Sequence, residues 1–151
     1  MPRHNAKGRS KVDGQYIPLP YSMVRHAAWR SLSGGAVKVW LEIRSRYTVR
    51  GDGCDNNGEL TLSLNEAARL LGMSKTTVQR AIAELKAKGF LEEITEGHWY
   101  GRKATEWRVT DCRYKGHPPS REWQKPTGEK QQSVPRRSMF NPDGTKSVPK
   151  P

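Results

Sequence analysis

The chain has 151 residues, enough for one domain with a real core and too few for a two-domain enzyme. Only 34% of the residues are hydrophobic and the mean hydropathy is −0.88, so a good part of the sequence is expected to lie outside any core. Twenty-seven basic residues against fifteen acidic ones leave a net charge of +12, which calls for an anionic partner: nucleic acid or an acidic membrane surface. No apolar run reaches the ~18 residues of a membrane span, and Met1-Pro2-Arg3-His4 opens no signal peptide, so a cytoplasmic, nucleoid-associated protein without a membrane partner is expected.

In chain order, residues 1–16 form a basic flexible arm with four basic residues and one acidic. Ile17-Pro18-Leu19-Pro20 is an extended lead-in, because each proline disfavours helix in the residue before it. Ser22 to Arg30 reads as a short helix with Met23, His26, Ala27 and Trp29 on its apolar side. Ser33 is placed to cap a longer helix, in which Ala36, Trp40, Ile43 and Tyr47 share a stripe that Val37 and Leu41 widen. The Trp29 and Trp40 helices are either core or the interface of a homodimer. Gly51 to Gly58, with Asp52, Asp55, Asn56 and Asn57, is a turn-rich loop, and Gly58 to Leu62 reads as a short strand.

The strongest signals follow. Leu64, Ala67, Ala68 and Leu71 repeat at helical spacing, behind a Ser63/Glu66 capping box. Gly72-Met73-Ser74 interrupts them, and Val78, Ile82 and Leu85, with Ala81 beside them, repeat at the same period. Ser74 caps this second helix, placed at 75–88, and Gly89 is positioned to end it in a left-handed turn. Phe90 to Thr95 and Thr105 to Thr110 read as strands around the loop 96–104. Two helices joined by a short turn and followed by a β-hairpin make a winged helix-turn-helix, mainly α with a small antiparallel sheet (α+β). Such a unit places one helix in a major groove. It is assigned to residues 17–112.

Residues 113–151 carry nine basic and three acidic residues, with prolines at 118, 119, 126, 135, 142, 149 and 151 and no apolar periodicity. They read as a mostly disordered basic tail. Such a tail adds phosphate contacts, or serves as a solubilising linker, or docks the transcription or replication machinery.

The stretch "LSLNEAARLLGMSKTTVQRAIAELKAKGFLEE", with the lead-in "YIPLPYSMVRHAAWRSLSGGAVKVWLEI", the "NNGEL" loop and the closing "GRKATEWRVT", resembles bacterial winged helix-turn-helix proteins of the MarR and GntR type. It is similar to small plasmid-, phage- or island-encoded regulators and to the DNA-binding domains of replication initiators. The resemblance implies double-stranded DNA as partner; unlike the larger GntR-type regulators, no effector-binding domain is expected behind the wing.

On the second helix Lys75, Thr76, Thr77, Gln79 and Arg80 lie on the face away from the apolar stripe. An arginine can bond bidentately to guanine, a glutamine to adenine, and a threonine methyl can meet thymine. Ser74 and Thr77 at the helix N-terminus suit phosphate. In the wing loop Arg102 and Lys103 are adjacent cations, with His98 and Tyr100 beside Trp99. Asn65 and Arg69 on the first helix are candidates for the flanking phosphates.

Catalytic patterns are missing. Gly51-Asp52-Gly53 lacks the spacing and the Lys-Ser/Thr pair of a phosphate loop, and Cys54, Cys112, His98 and His117 show no metal-ligand spacing. The cysteines read as free thiols, and no cofactor or metal is expected. Glu84 with Lys88 reads as an i,i+4 pair on a solvated face. The sequence therefore predicts a non-enzymatic, sequence-specific DNA-binding protein acting through 75–88 and the basic wing 96–104. A transcriptional regulator is the first reading, and an origin-binding replication or partition protein of a mobile element is the alternative.

Overall fold

A computed structural model describes residues 15–98, 100–101 and 103–125. Most of the N-terminal arm, Trp99, Arg102 and the tail from 126 onward lie outside the described residues.

Among the described residues, five helices and a three-stranded antiparallel sheet follow one another as α1 (Tyr21–Val24), α2 (Ala27–Arg30), α3 (Gly34–Ser45), β1 (Leu60–Thr61), α4 (Leu64–Leu71), α5 (Lys75–Ala87), β2 (Leu91–Thr95) and β3 (Glu106–Val109). A single 3-10 turn (Glu122–Gln124) closes the described chain. The sheet order is β1-β3-β2, with Leu60 opposite Trp107 and Leu91 opposite Val109. This is a winged helix-turn-helix: α4, turn, α5, then the β2–β3 hairpin, with β1 joined to it as the third strand.

Caps set the element boundaries. Ser33, Ser63 and Ser74 each hold an extended backbone, and each side chain accepts a hydrogen bond from the N–H three residues on, satisfying one of the donors a helix start leaves orphaned. Gly72 ends α4 in the left-handed conformation, φ 63°, which turns the chain sharply into α5. Gly89 does the same after α5 at φ 76°, and a Cβ there would lie 2.8 Å from the Glu122 carbonyl carbon. Only glycine fits.

The core gathers the apolar stripes of three helices under the inward face of the sheet. Val39, Trp40 and Ile43 of α3, Ala67 of α4, Val78 and Leu85 of α5, and Phe90, Trp107 and Val109 are buried together. Trp29 is half-buried and meets Trp40 edge-on at 5.1 Å and Phe90 at 5.6 Å, so the two tryptophans are core of this chain.

Three expectations are corrected. The single helix from Ser22 to Arg30 is two turns broken at Arg25 and His26, because His26 adopts an extended backbone (ψ 144°) and its Nδ1 accepts from the Ala28 N–H to cap α2. The Ser63/Glu66 capping box is half formed: Ser63 caps, but the Glu66 carboxylate turns away to the Arg46 guanidinium at 2.8 Å. Core packing does not stop at the boundary expected at 112, since Trp123 is buried among Phe90 and His26. One aromatic anchor does this without any apolar periodicity.

Two side chains tie the loops to this frame. Arg46 donates to Glu42, Glu66 and the Thr61 carbonyl, so one guanidinium joins α3, α4 and β1. Asn57 is buried; its amide donates to the Val109 and Arg113 carbonyls and its oxygen accepts from the Val109 N–H at 2.9 Å, completing the sheet edge where no strand continues.

Candidate nucleic-acid interface

The site is built on α5. Val78, Ala81, Ile82 and Leu85 face the core, which at 3.6 residues per turn leaves Thr76, Arg80 and Ala83 on the outermost line. Lys75 and Gln79 lie on the flank toward the wing, and Thr77, Glu84 and Lys88 on the flank toward α3. Lys75, Thr76, Gln79 and Arg80 are all exposed, and none of their side chains makes a hydrogen bond or ion pair among the described residues. Four polar side chains on one face thus keep their donors and acceptors unspent.

Between α5, the start of α4 and the wing runs a groove of about 970 Å³. Asn65, Lys75, Gln79, His98 and Lys103 line it, over a floor of Leu62, Ile82 and Trp107. The Trp107 indole N–H donates to the Leu62 carbonyl at 3.4 Å, tying two residues of that floor together. Five of the sequence-derived candidates are therefore brought into one concavity.

The others are placed differently. Thr76 and Arg80 lie on the adjoining outer face. The Ser74 hydroxyl is engaged in capping, accepting from the Thr77 N–H at 3.1 Å and sharing a 2.8 Å hydrogen bond with the Thr77 hydroxyl. The Thr77 methyl is turned toward Gly35 at the start of α3. Arg69 is exposed in the last turn of α4, at the far end of that helix from Asn65. Tyr100 is 80% exposed on the wing loop. Arg102 falls outside the described residues.

The wing stem is drawn tight at Gly97. A Cβ there would lie 2.6 Å from the Thr105 nitrogen and 2.7 Å from the Lys103 carbonyl oxygen, so the two arms approach closely only because the side chain is absent. The Gly97 N–H donates to the Thr105 hydroxyl, and the Lys103 N–H to the His98 carbonyl at 3.2 Å. The Lys103 ammonium lies 3.6 Å from Glu106, a loose exposed pair that leaves it available to a stronger anion.

Carboxylates near the groove are mostly neutralised. Glu93 pairs with Lys86, and the Arg46 hydrogen bond holds the Glu66 carboxyl below the usual carboxylate range. Glu96 lines the groove with no ion-pair partner among the described residues. Lys86 and Ala83 also line the groove and were not singled out from sequence, although the i,i+4 step from Lys75 through Gln79 to Ala83 leads there.

Among the described residues no three His, Cys, Asp or Glu side chains cluster as metal ligands, and no helix is long and apolar enough to cross a membrane. Both cysteines are free thiols, Cys54 exposed and Cys112 buried.

Residues 54–98 match the model of the MarR family, a segment running from the loop before β1 through α4 and α5 to the start of the wing. No curated protein and no solved structure matches the chain.

Proposed function

From a winged helix-turn-helix of the MarR type, we infer that the chain binds double-stranded DNA and regulates transcription by occupying its site. The observation that carries this reading is the unpartnered polar face of α5 beside a groove lined by lysines and amides. α5 enters the major groove; Arg80 and Gln79 address base edges, and Thr76 offers its methyl to thymine. Lys75 and Asn65 meet the backbone along the groove, with Ser74 and Thr77 at the helix start. His98, Tyr100, Arg102 and Lys103 on the wing follow the flanking strand. Arg69 meets the phosphates beyond the end of α4.

The test is selection of duplexes from a random-sequence pool by the full chain, followed by mapping of occupied sites in cells. A recurrent sequence overlapping promoters supports the reading, and an inverted repeat with half-sites about 34–36 Å apart would add a symmetric dimer. Tandem repeats beside a replication gene would replace regulation by origin binding. Failure to enrich any sequence would overturn specific recognition.

A further inference from the structure

Glu84 projects from the flank of α5 that faces α3, away from the groove. Its carboxylate grips Ser33 twice: Oε1 accepts from the Ser33 N–H at 3.0 Å and Oε2 from the Ser33 hydroxyl at 2.6 Å. That hydroxyl also accepts from the Ala36 N–H, so the residue that starts α3 is fully engaged. One turn on, the Lys88 ammonium donates to Glu84 at 2.7 Å and to the Ser31 carbonyl at 2.7 Å. The end of α2, the start of α3 and the C-terminal part of α5 are thereby joined by one chain of charge-assisted hydrogen bonds.

These bonds supply what the apolar contacts of α5 do not. Burial of Val78, Ala81, Ile82 and Leu85 fixes which side of the helix faces inward, but apolar contact is non-directional and tolerates a small roll. A helix with its side chains is about 10–12 Å across, so a roll of about 15° moves side-chain tips by ~1.5 Å. Bidentate pairing with a base edge needs placement to about 0.5 Å. A carboxylate with two directed hydrogen bonds to another helix resists that roll.

We propose that Glu84 is a positioning residue for base recognition: by holding Ser33, it sets the rotation of α5 and so decides how Thr76, Gln79 and Arg80 present to base edges. This rests on the reading of α5 as the DNA-recognition helix. Glu84 itself touches no DNA, and its position on the α3 flank leaves the groove open.

Charge and geometry can be separated. Glu84→Asp keeps the charge but is one methylene too short to hold both Ser33 donors. Glu84→Gln loses the charge but keeps the length and an accepting oxygen. The full chain, Glu84→Asp, Glu84→Gln and the stability control Val39→Ala are compared on a duplex selected by the wild-type chain and on a scrambled duplex. Melting temperature and salt dependence are measured alongside. Glu84→Asp is expected to lower the selected-to-scrambled affinity ratio about tenfold, some 1.4 kcal/mol, with an unchanged salt slope. Glu84→Gln should retain most of the ratio, and Val39→Ala should lower the melting temperature while leaving the ratio intact. If Glu84→Asp discriminates as well as wild type, or loses both duplexes equally, the positioning role is overturned while DNA recognition stands. If Glu84→Gln alone changes the ratio, the effect is charge and the proposal fails. A wild-type chain with no preference at all would remove the recognition reading and this proposal with it.

Discussion

Trp123 lies over Phe90 with ring centroids 5.9 Å apart and planes within 3° of parallel, and its edge meets the His26 ring at 5.1 Å. The residues after β3 therefore strap the junction where α5 hands over to β2. The Thr110 hydroxyl donates to the Gly89 carbonyl at 2.7 Å, and the Arg121 N–H to the Thr110 carbonyl at 3.0 Å.

Removing this strap should cost folding stability rather than charge alone. Trp123→Ala is expected to destabilise the domain by about 3–5 kcal/mol, as deletion of a buried aromatic does. A chain ending at 112 should melt lower still. A chain ending at 125 should melt like the full one while binding every duplex more weakly, because residues 126–151 hold five basic residues against two acidic. Calorimetry of the three chains beside salt-dependent binding checks this; equal melting points for the 112 and 125 truncations would refute the structural role.

Reading and positioning should separate on mutation. Arg80→Ala and Gln79→Ala are each expected to lose about 1–3 kcal/mol at the base concerned and to relax preference there. Lys103→Ala should weaken selected and scrambled duplexes alike and lower the log–log salt slope by about one. Binding titrations on both duplexes across salt concentrations decide it, and parallel losses for Arg80→Ala would take it out of base reading.

The two wing glycines give a controlled pair. A Cβ at Gly97 would overlap the Thr105 and Lys103 backbone, whereas at Gly101 it would meet nothing within 4 Å. Gly97→Ala should splay the wing stem and weaken DNA binding on all sequences several-fold, with Gly101→Ala near wild type. Comparable affinities for the two variants would show that the wing contributes little.

Stability should fall on both sides of neutral pH. The Arg46 hydrogen bond lowers the Glu66 carboxyl; burial pushes Glu84 up, but hydrogen bonds from Lys88 and Ser33 outweigh it, and it too ends below its ordinary value. Groups depressed in the folded state stabilise it above their unfolded value of about 4.3, and that contribution is lost as acid is added below it. Cys112 runs the other way: burial first, then the Asp111 charge, pushes its thiol far up, so its contribution is complete below about 8.5 and declines as pH rises past that value. Melting temperatures from pH 3 to 10 should trace this dome, with Glu84→Gln flattening the acid limb; an unaltered acid limb in that variant would remove Glu84 from the linkage.

The parts of this fold readable from sequence are those with local causes. The Leu64–Leu71 and Val78–Leu85 periodicities, the Ser63 and Ser74 caps and the Gly72 and Gly89 stops act within a few residues, and they place α4, α5 and the wing strands. What escaped has partners far along the chain. Ser33 and Glu84 meet across 51 residues, Asn57 and Val109 across 52, and nothing near either member announces the other. His26 and Trp123 follow the same rule. The candidate site divides the same way: which face of α5 is polar was legible, while the groove that gathers Asn65, Lys75, Gln79, His98 and Lys103 depends on where the wing returns.

The two thiols give the chain an address for a reporter. Cys54 is exposed in a turn closed on itself by the Arg50 N–H to Cys54 carbonyl hydrogen bond at 2.7 Å, while Cys112 is buried and held protonated. This turn follows the C-terminal end of α3, whereas α5 meets that helix at its first turn through Ser33. A maleimide dye will therefore couple at Cys54 without mutagenesis, one per molecule, with the length of α3 between it and the Ser33 contact.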